Sequence, residues 1–275
     1  MKPYTKLSNH INYTSLIREI VSKRASAVFL NEGGRLGVKS DKEIDHPYAN
    51  GNPSLGNFDI YTVDLDDTLF YNEYAMEVFP DYIIDICNFT GLHPAQVKNL
   101  IYSEHYRRLS LGIYTAFDWE DIIYSVAKRL NVEKSWNLEE LQEKYYTPGN
   151  IFLLNGAIEF LKAIDGKAIA ATNGFSKYQL KILTKLNVKQ YFKRVLSPDI
   201  THYTKGNIKF YSDYADLNRI HVGDDYFFDV EIPLQSGSST LWVYGSGKFP
   251  LGGFEILPSA MAPDINSAIR LLGNH

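Results

Sequence analysis

An α/β protein built on a doubly wound parallel sheet is what this sequence predicts, and three observations predict it. Short apolar runs of strand composition recur at Phe58 to Val63, Ala168 to Ala171, Arg194 to Leu196, Ile220 to Val222 and Thr240 to Tyr244. Between the later runs lie stretches with the three-to-four-residue periodicity of amphipathic helices. Such alternation argues for a parallel sheet covered on both faces. Finally, most of these runs end directly on polar residues. In open parallel sheets ligands bind just beyond the carboxyl ends of the strands, so those residues are where chemistry is sought.

The chain before the first strand carries little of this pattern. Leu16, Ile17, Ile20 and Val21 stand at helical spacing behind Thr14 and Ser15, either of which can cap a helix. Ala27 to Leu30 and Arg35 to Val38 flank Asn31-Glu32-Gly33-Gly34 and read as a β-hairpin. Residues 46–57, rich in Pro, Gly and Asn, read as a linker. Residues 1–57 are therefore expected to be a small extension, with no chemistry of their own and with partner binding as the rival reading.

Residues 72–150 read as helical throughout. Pro80 opens a run through Ile83, Ile84 and Cys87 that stops near Gly91. Pro94 stands where a helix starts, and Val97, Leu100, Ile101 and His105 or Leu109 follow on one face. Asp118 caps a third helix with Trp119, Ile122, Ile123, Val126 and Leu130 as its apolar side. A fourth runs from Leu138 to Tyr145, and Thr147-Pro148-Gly149-Asn150 breaks the chain. With no strand among them, these residues are expected to form a helical unit, between core segments 58–71 and 151–275. In the second segment, helices carrying Ala157, Phe160, Leu161 and Ile164, then Leu180, Leu183 and Leu186, alternate with the strands. A short helix from Phe210 to Leu217 and a closing helix from Asp264 to Leu272 complete it.

The bulk numbers narrow the function. A chain of 275 residues makes one large domain or two ordinary ones at about 150 residues each, and 45 % hydrophobic residues suffice for a full core. A net charge of −4 gives no basic footprint for nucleic acid. One cysteine, Cys87, excludes an internal disulfide and suits a reducing compartment. Met1 to Ser8 lack the apolar run of a signal peptide, and no stretch reaches the roughly 20 apolar residues of a membrane span. A cytoplasmic protein without a membrane partner is expected; its oligomeric state is not written in the sequence.

The strand ends carry the candidates. In an extended chain residues i and i+2 share a side, so Asp64 and Asp66 face one way while Leu65 turns to the core. Two carboxylates held that close repel, and a bound cation is the usual way to keep both ionised. A solvated acidic turn would carry the same residues. Thr172-Asn173-Gly174 follow the second strand, ahead of a helix whose N–H groups can hold an anion. An ordinary turn has that composition too. Lys205 lies in the loop after the third strand, where a surface charge is commonplace. Gly223-Asp224-Asp225, with Asp229 beyond, follow the fourth, and three acids within six residues exceed what solubility needs. His221, inside that strand, reads as packed.

In this order, Asp64-Leu65-Asp66-Asp67-Thr68, Thr172-Asn173, Lys205 and Gly223-Asp224-Asp225 with Asp229 resemble the four motifs of the haloacid dehalogenase (HAD) superfamily, over residues 58 to 272. The resemblance implies a Rossmann-like core of residues 58–71 and 151–275, with a helical cap, residues 72–150, inserted between the first and second motifs. It implies that Asp64 is the nucleophile and Asp66 the general acid and base. Thr172 and Asn173 would bind the phosphate and Lys205 would neutralise it. Mg²⁺ would be held by Asp64, the Asp66 main-chain carbonyl and Asp224, with Asp225 or Asp229 supporting the metal or the lysine. Gly206 stands where the family often has proline, the segment from Lys205 to Asp224 is short, and residues 1–57 have no counterpart.

Physical chemistry fits these implied roles. A carboxylate attacks phosphorus only when the negative charge of its target is masked, as Mg²⁺ and a lysine do. Attack gives an aspartyl-phosphate and splits one hard displacement into two easier ones. Asp66 would protonate the departing alkoxide and then deprotonate the water. Dehalogenating members of the family lack that acid, since halide leaves without a proton. The expected activity is a Mg²⁺-dependent phosphatase. Its substrate would be a small phosphate ester: a sugar phosphate, a phospho-acid or a nucleoside monophosphate. A phosphomutase would keep the same residues, and a non-catalytic scaffold using residues 1–57 is the rival from another class. In the helical unit, Tyr71, Arg107 and Arg108 are candidate substrate contacts, although such side chains also serve its own core.

Overall fold

The computed structural model describes residues 57–72, 74–134, 136–246 and 256–272. The helix and hairpin expected before residue 57, and all of the linker but Asn57, lie outside the described residues. Six strands form one parallel sheet: β1 (Ile60–Val63), β4 (Ala168–Ala171), β5 (Phe192–Leu196), β6 (Arg219–Gly223), β7 (Ser239–Val243) and β8 (Ala260–Ala262). Their order is β5-β4-β1-β6-β7-β8. The chain thus builds outward from β1 through β4 to β5, then returns to the other side of β1 with β6. That reversal opens a crevice beyond the carboxyl ends of β1 and β6.

Alternation decides what each sheet face buries. Tyr61, Val63 and Leu65 point to one side, with Ala168, Ala170, Ile220 and Val222. They meet Phe160 and Leu161 of the helix Ala157–Ala163, Ile182 and Leu183 of the helix Ser176–Lys185, and Ile265, Ala268 and Leu271. Burying each of the Phe, Leu, Ile and Val side chains among them contributes roughly 1.5–3 kcal/mol. Ile60, Ile169 and Ala171 take the opposite side, against Phe210, Tyr211, Phe227 and Phe228. The central strands β1, β4 and β6 are buried at every residue, as continuous apolar runs in a parallel sheet must be. The doubly covered parallel sheet is the one the sequence predicts.

Between β1 and β4 the chain makes a two-stranded antiparallel ribbon of β2 (Phe70–Asn72) and β3 (Ile151–Leu153). It brackets four helices: α1 (Tyr74–Thr90), α2 (Pro94–Ser110), α3 (Trp119–Arg129) and α4 (Leu138–Tyr145). The ribbon is not legible in the sequence, because three residues are too few to show a period of two. Pro80 does not open a helix but lies inside α1. Proline there removes one N–H from the helical ladder. Leu100, expected on the buried face of α2, is 37 % exposed; Val97, Ile101, His105 and Leu109 lie on that face as expected, joined by Glu104 and Arg108. Asp118 caps α3 by accepting from the Asp121 N–H.

The four helices share a core of Tyr82, Ile86, Val97, Ile101, Ile122, Ile123 and Val126, which continues into Phe175 and Tyr178 beside the sheet. Leu109, Ala116 and Phe117 join the sheet's own cluster with Phe227 and Phe228. The contact is therefore apolar and continuous. Tyr178 adds polar anchors, its hydroxyl lying 3.2 Å from both Asp118 and Glu120. We label the following helices α5 (Ala157–Ala163) and α6 (Ser176–Lys185). The expected helix from Phe210 is a 3₁₀ helix, Ile208–Tyr214, started by Asn207. The closing helix divides into Ile265–Ala268 and a 3₁₀ turn, Ile269–Leu271. Among the described residues, no helix is long and apolar enough to cross a membrane.

Candidate active site

Strand register sets the site before any side chain is considered. The Asp64 N–H donates to Val222 O and the Thr172 N–H to Leu196 O, so the ends of β1, β6, β4 and β5 are drawn level. Past Asp64 the chain turns tightly. Thr68, Leu69 and Phe70 all donate to Leu65 O, and Asp67 takes a left-handed conformation with φ of 61°. Aspartate tolerates that region better than most residues because its short side chain can bond locally.

Asp64, Asp224 and Asp229 converge here, all buried, each offering an oxygen within 4.8 Å of the others. Thr68 Oγ1 lies 3.3 Å from both Asp64 Oδ2 and Asp224 Oδ1 and bridges the two carboxylates. Lys205, only 2 % exposed, reaches in from its loop and donates to Asp64 Oδ1 at 2.6 Å. It also pairs with Asp229. The loop lysine is thus a core group. Asn173 fixes its main chain by accepting the Lys205 N–H at 2.8 Å, while Thr172 Oγ1 accepts the Gly174 N–H.

The acids after Asp224 go to different places. Asp225 accepts the N–H groups of Phe227 and Phe228 and starts a π-helical turn, Tyr226–Glu231. Asp229 faces the cluster, accepting from the Asp225 N–H at 2.8 Å and lying 2.8 Å from His221 Nε2. The other ring nitrogen of His221 is 2.9 Å from Thr62 Oγ1, so this histidine is packed and fully paired in the strand. Gly223 makes the arrangement possible: a Cβ there would overlap the Asp229 carboxyl group.

Asp66 leaves this cluster. Its Oδ1 accepts from Asn72 Nδ2 at 2.5 Å and its Oδ2 from Gln179 Nε2 at 2.7 Å. Neither amide was singled out in the sequence, for they lie on β2 and on α6. One signal was available: Gln179 is a polar residue on the same apolar stripe as Ile182 and Leu183. The arginines of the helical unit turn elsewhere. Arg107 and Arg108 both bind Glu104, and Arg108 also reaches Thr115, Asp121 and Ser125, which engages its guanidinium inside the unit. Tyr71 stacks on Phe152 across the ribbon at 4.9 Å. A hollow of about 450 Å³ in the helical unit, lined by Asp81, Asp85, Lys134 and Trp136 among others, includes none of the cluster residues.

Charge in the cluster is unbalanced. Burial is the main cause that raises the Asp64 pKa well above the usual carboxylate range; Asp229 and Asp224 raise it further, and Lys205 only partly offsets them. Burial alone would lower the Lys205 pKa, but Asp229 and Asp64 outweigh it and hold the ammonium charged. Asp229 is likewise disfavoured by burial, yet Lys205 and the His221 hydrogen bond keep its pKa below normal. Three carboxylates thus converge where one lysine pairs with two of them. Hard oxygen donors in excess of positive charge are the donor set that a divalent cation such as Mg²⁺ prefers.

No family profile matches the sequence, and no curated protein matches it. Solved structures do. A HAD phosphatase from Thermococcus onnurineus superposes with a TM-score of 0.60 at 19 % identity, over 78 % of this chain and 97 % of that one. A 2-haloacid dehalogenase from Pseudomonas syringae gives 0.57 at 16 % identity, over 78 % and 98 %. A Bacillus subtilis protein described as a candidate HAD-hydrolase, bound to magnesium, gives 0.52 at 14 % identity, over 79 % and 99 %. At these identities the likeness is one of fold.

Proposed function

From a chain with the haloacid dehalogenase fold, we propose a Mg²⁺-dependent phosphatase that hydrolyses a small phosphate monoester through an aspartyl-phosphate. The observation that carries the reading is Asp66. Its carboxyl group is held by two amides at the strand exit, two residues beyond the buried Asp64–Lys205 pair. A phosphate ester needs an acid to release its alcohol and a base to activate water. Loss of halide needs no acid, and the fold alone does not choose between the two chemistries.

Each residue then has a task. Asp64 attacks phosphorus, and the bond from phosphorus to the alcohol oxygen breaks as Asp66 delivers its proton to that oxygen. Water next attacks the aspartyl-phosphate and gives a proton to Asp66. The bond to Asp64 breaks and inorganic phosphate departs. Lys205 sets its charge beside Asp64, where negative charge gathers in both steps. Thr172 and Asn173 frame the phosphoryl group, and Asn173 also holds the lysine loop. Asp64 and Asp224 would hold Mg²⁺, with the Asp66 carbonyl as a third protein oxygen; bound there, the ion masks the charge of the phosphoryl oxygens. Asp229 anchors Lys205. The helical unit packs against the sheet beside the site and favours small substrates over folded chains. The test is a phosphate-release screen across about a hundred metabolites with and without chelator, because the fold does not fix the substrate. Phosphate released only with Mg²⁺ is the expected result; halide release without it would overturn the reading.

A further inference from the structure

One side chain beside Asp66 holds a polar atom that the fold does not use. Gln179 is 3 % exposed, on the stripe of α6 that packs Ile182 and Leu183, where an apolar residue would avoid the cost of desolvation. Its Nε2 donates to Asp66 Oδ2 at 2.7 Å. Its Oε1 is buried and has no hydrogen-bond partner among the described residues. Leaving a buried acceptor unmade costs roughly 1–3 kcal/mol. Orientation of Asp66 does not require that oxygen, since Asn72 already holds the other carboxylate oxygen. Gly174 is what lets the amide in: a Cβ at this position would overlap the Gln179 nitrogen and press on its Cγ and Cδ.

We propose that Gln179 is a positioning residue for the second half of the reaction, its Oε1 and Asp66 Oδ2 together holding the water that hydrolyses the aspartyl-phosphate. The inference rests on the phosphatase reading. The oxygen and nitrogen of one carboxamide are about 2.3 Å apart by covalent geometry. Oε1 is therefore at most roughly 5 Å from Asp66 Oδ2, a span that one water closes with two ordinary hydrogen bonds. The water donates one hydrogen to each acceptor, which turns its lone pairs toward phosphorus rather than leaving it to tumble. On attack, the oxygen bonds phosphorus and the proton facing Asp66 passes to Oδ2. The bond to Asp64 breaks, with its electrons returning to that carboxylate. The hydrogen facing Gln179 stays on oxygen as a hydroxyl of the departing phosphate. The first half needs no acceptor at this place, because Asp66 then gives a proton to the alcohol.

Two variants test this with p-nitrophenyl phosphate, whose leaving group needs little protonation, so that the first half is insensitive to Asp66. Gln179→Met keeps length and burial but removes the amide. Gly174→Ala keeps the amide and displaces it. In either variant kcat should fall at least about 30-fold and KM should fall with it, while kcat/KM stays within about threefold. Rapid mixing should give a burst near one equivalent of nitrophenol, and acid-quenched protein should carry covalent phosphate. Equal losses in kcat and kcat/KM without trapped phosphate would overturn the proposal; the same trapped phosphate in Asn72→Leu, which loosens Asp66 but leaves Oε1 in place, would also overturn it and leave Gln179 as a support for Asp66 alone. If Gln179→Met fails to fold, Gly174→Ala carries the same readouts. Failure of the phosphatase reading is separate: the unaltered protein would then release no phosphate from any ester.

Discussion

Two buried charge clusters in this molecule have opposite balances. Beyond the strand ends Asp64, Asp224 and Asp229 converge, and Lys205 pairs with Asp64 and Asp229. Inside the helical unit the Glu104 carboxylate is shared by Arg107, Arg108 and Arg129 at 2.7, 2.9 and 3.2 Å, and Arg108 also pairs with Asp121. The acids are similarly buried, Asp64 at 7 % exposure and Glu104 at 4 %. Their pKa values nevertheless move apart. Hydrogen bonds from Arg107, joined by Arg108 and opposed by burial, pull Glu104 down to about 2, whereas Asp64 is pushed well up. Burial therefore does not decide whether a charge cluster is structural. The sign of the excess does: around Glu104 cations outnumber acids and the carboxylate is fully paired, whereas the Asp64 cluster is short of positive charge.

The largest effect that could break this contrast is on catalysis. Asp64→Asn should abolish phosphate release by on the order of 10³-fold or more, because the covalent route is lost. The same change removes one of three crowded carboxylates while Lys205 keeps Asp229. Relief on the order of 1 kcal/mol would raise Tm by roughly 2–4 °C in a chain of this size. Activity assays beside thermal melts check both. A variant that is inactive because it melts lower would place Asp64 with the structural acids.

Metal removal comes next. Chelator should stop turnover of the unaltered protein and Mg²⁺ restore it, with Ca²⁺ a poor substitute because its looser coordination misplaces the nucleophile. Mg²⁺ should also raise Tm, since a ligand at a hundred times its Kd adds about 2.7 kcal/mol. Asp224→Asn should lose most of that shift. Full activity in chelator, or an equal shift in the variant, would mean the acid excess is not there for a cation.

How far this contrast could be read from the sequence differs between the clusters. The sheet edge was legible because each of its acids follows a β-branched or aromatic run, and strand ends are where parallel sheets put ligands. Asp64, Thr172, Lys205 and Asp224 stand at such places in chain order. The choice between Asp225 and Asp229 needed the backbone, since the π-helical turn sends one to cap a helix and the other to Lys205. Gln179 was hidden by distance, 113 residues from Asp66. Glu104 carries no mark in the sequence: a charged residue on a helix is ordinarily solvated, and only the fold buries it with Arg108 beside Arg107. β8, Ala-Met-Ala, lacks the β-branched residues that mark a strand.

Glu104→Gln probes the cation-rich cluster. Removing the charge takes one of two carboxylate partners from Arg108, whose side chain is 6 % exposed and which keeps Asp121, so the cost stays below the roughly 3 kcal/mol of a fully broken buried pair. The folded pKa of about 2 lies below the unfolded one. The carboxylate therefore stabilises the fold fully above about pH 4.3, and the contribution fades as pH falls toward the folded value. Urea melts should show the variant weaker at pH 7, with the gap narrowing in acid. The catalytic constants of the folded fraction should stay unchanged. A gap that widened in acid would reverse the assignment of Glu104 as an ionised structural group.

The smallest effect separates the two arginines of α2. Arg107 and Arg108 make similar bonds to Glu104, at 2.7 and 2.9 Å, but the Arg107 side chain is 51 % exposed. Solvent screens an exposed pair and the long side chain loses entropy to hold it, so Arg107→Ala should cost no more than about 1 kcal/mol. Arg108→Ala should cost more, because Asp121 and Ser125 lose their partner as well and a buried space opens. Both values come from the same urea melts. If Arg107→Ala instead lowers kcat/KM on phosphate esters tenfold at unchanged stability, the exposed guanidinium works for the substrate after all. The helical unit would then contribute charge to the site that is short of it.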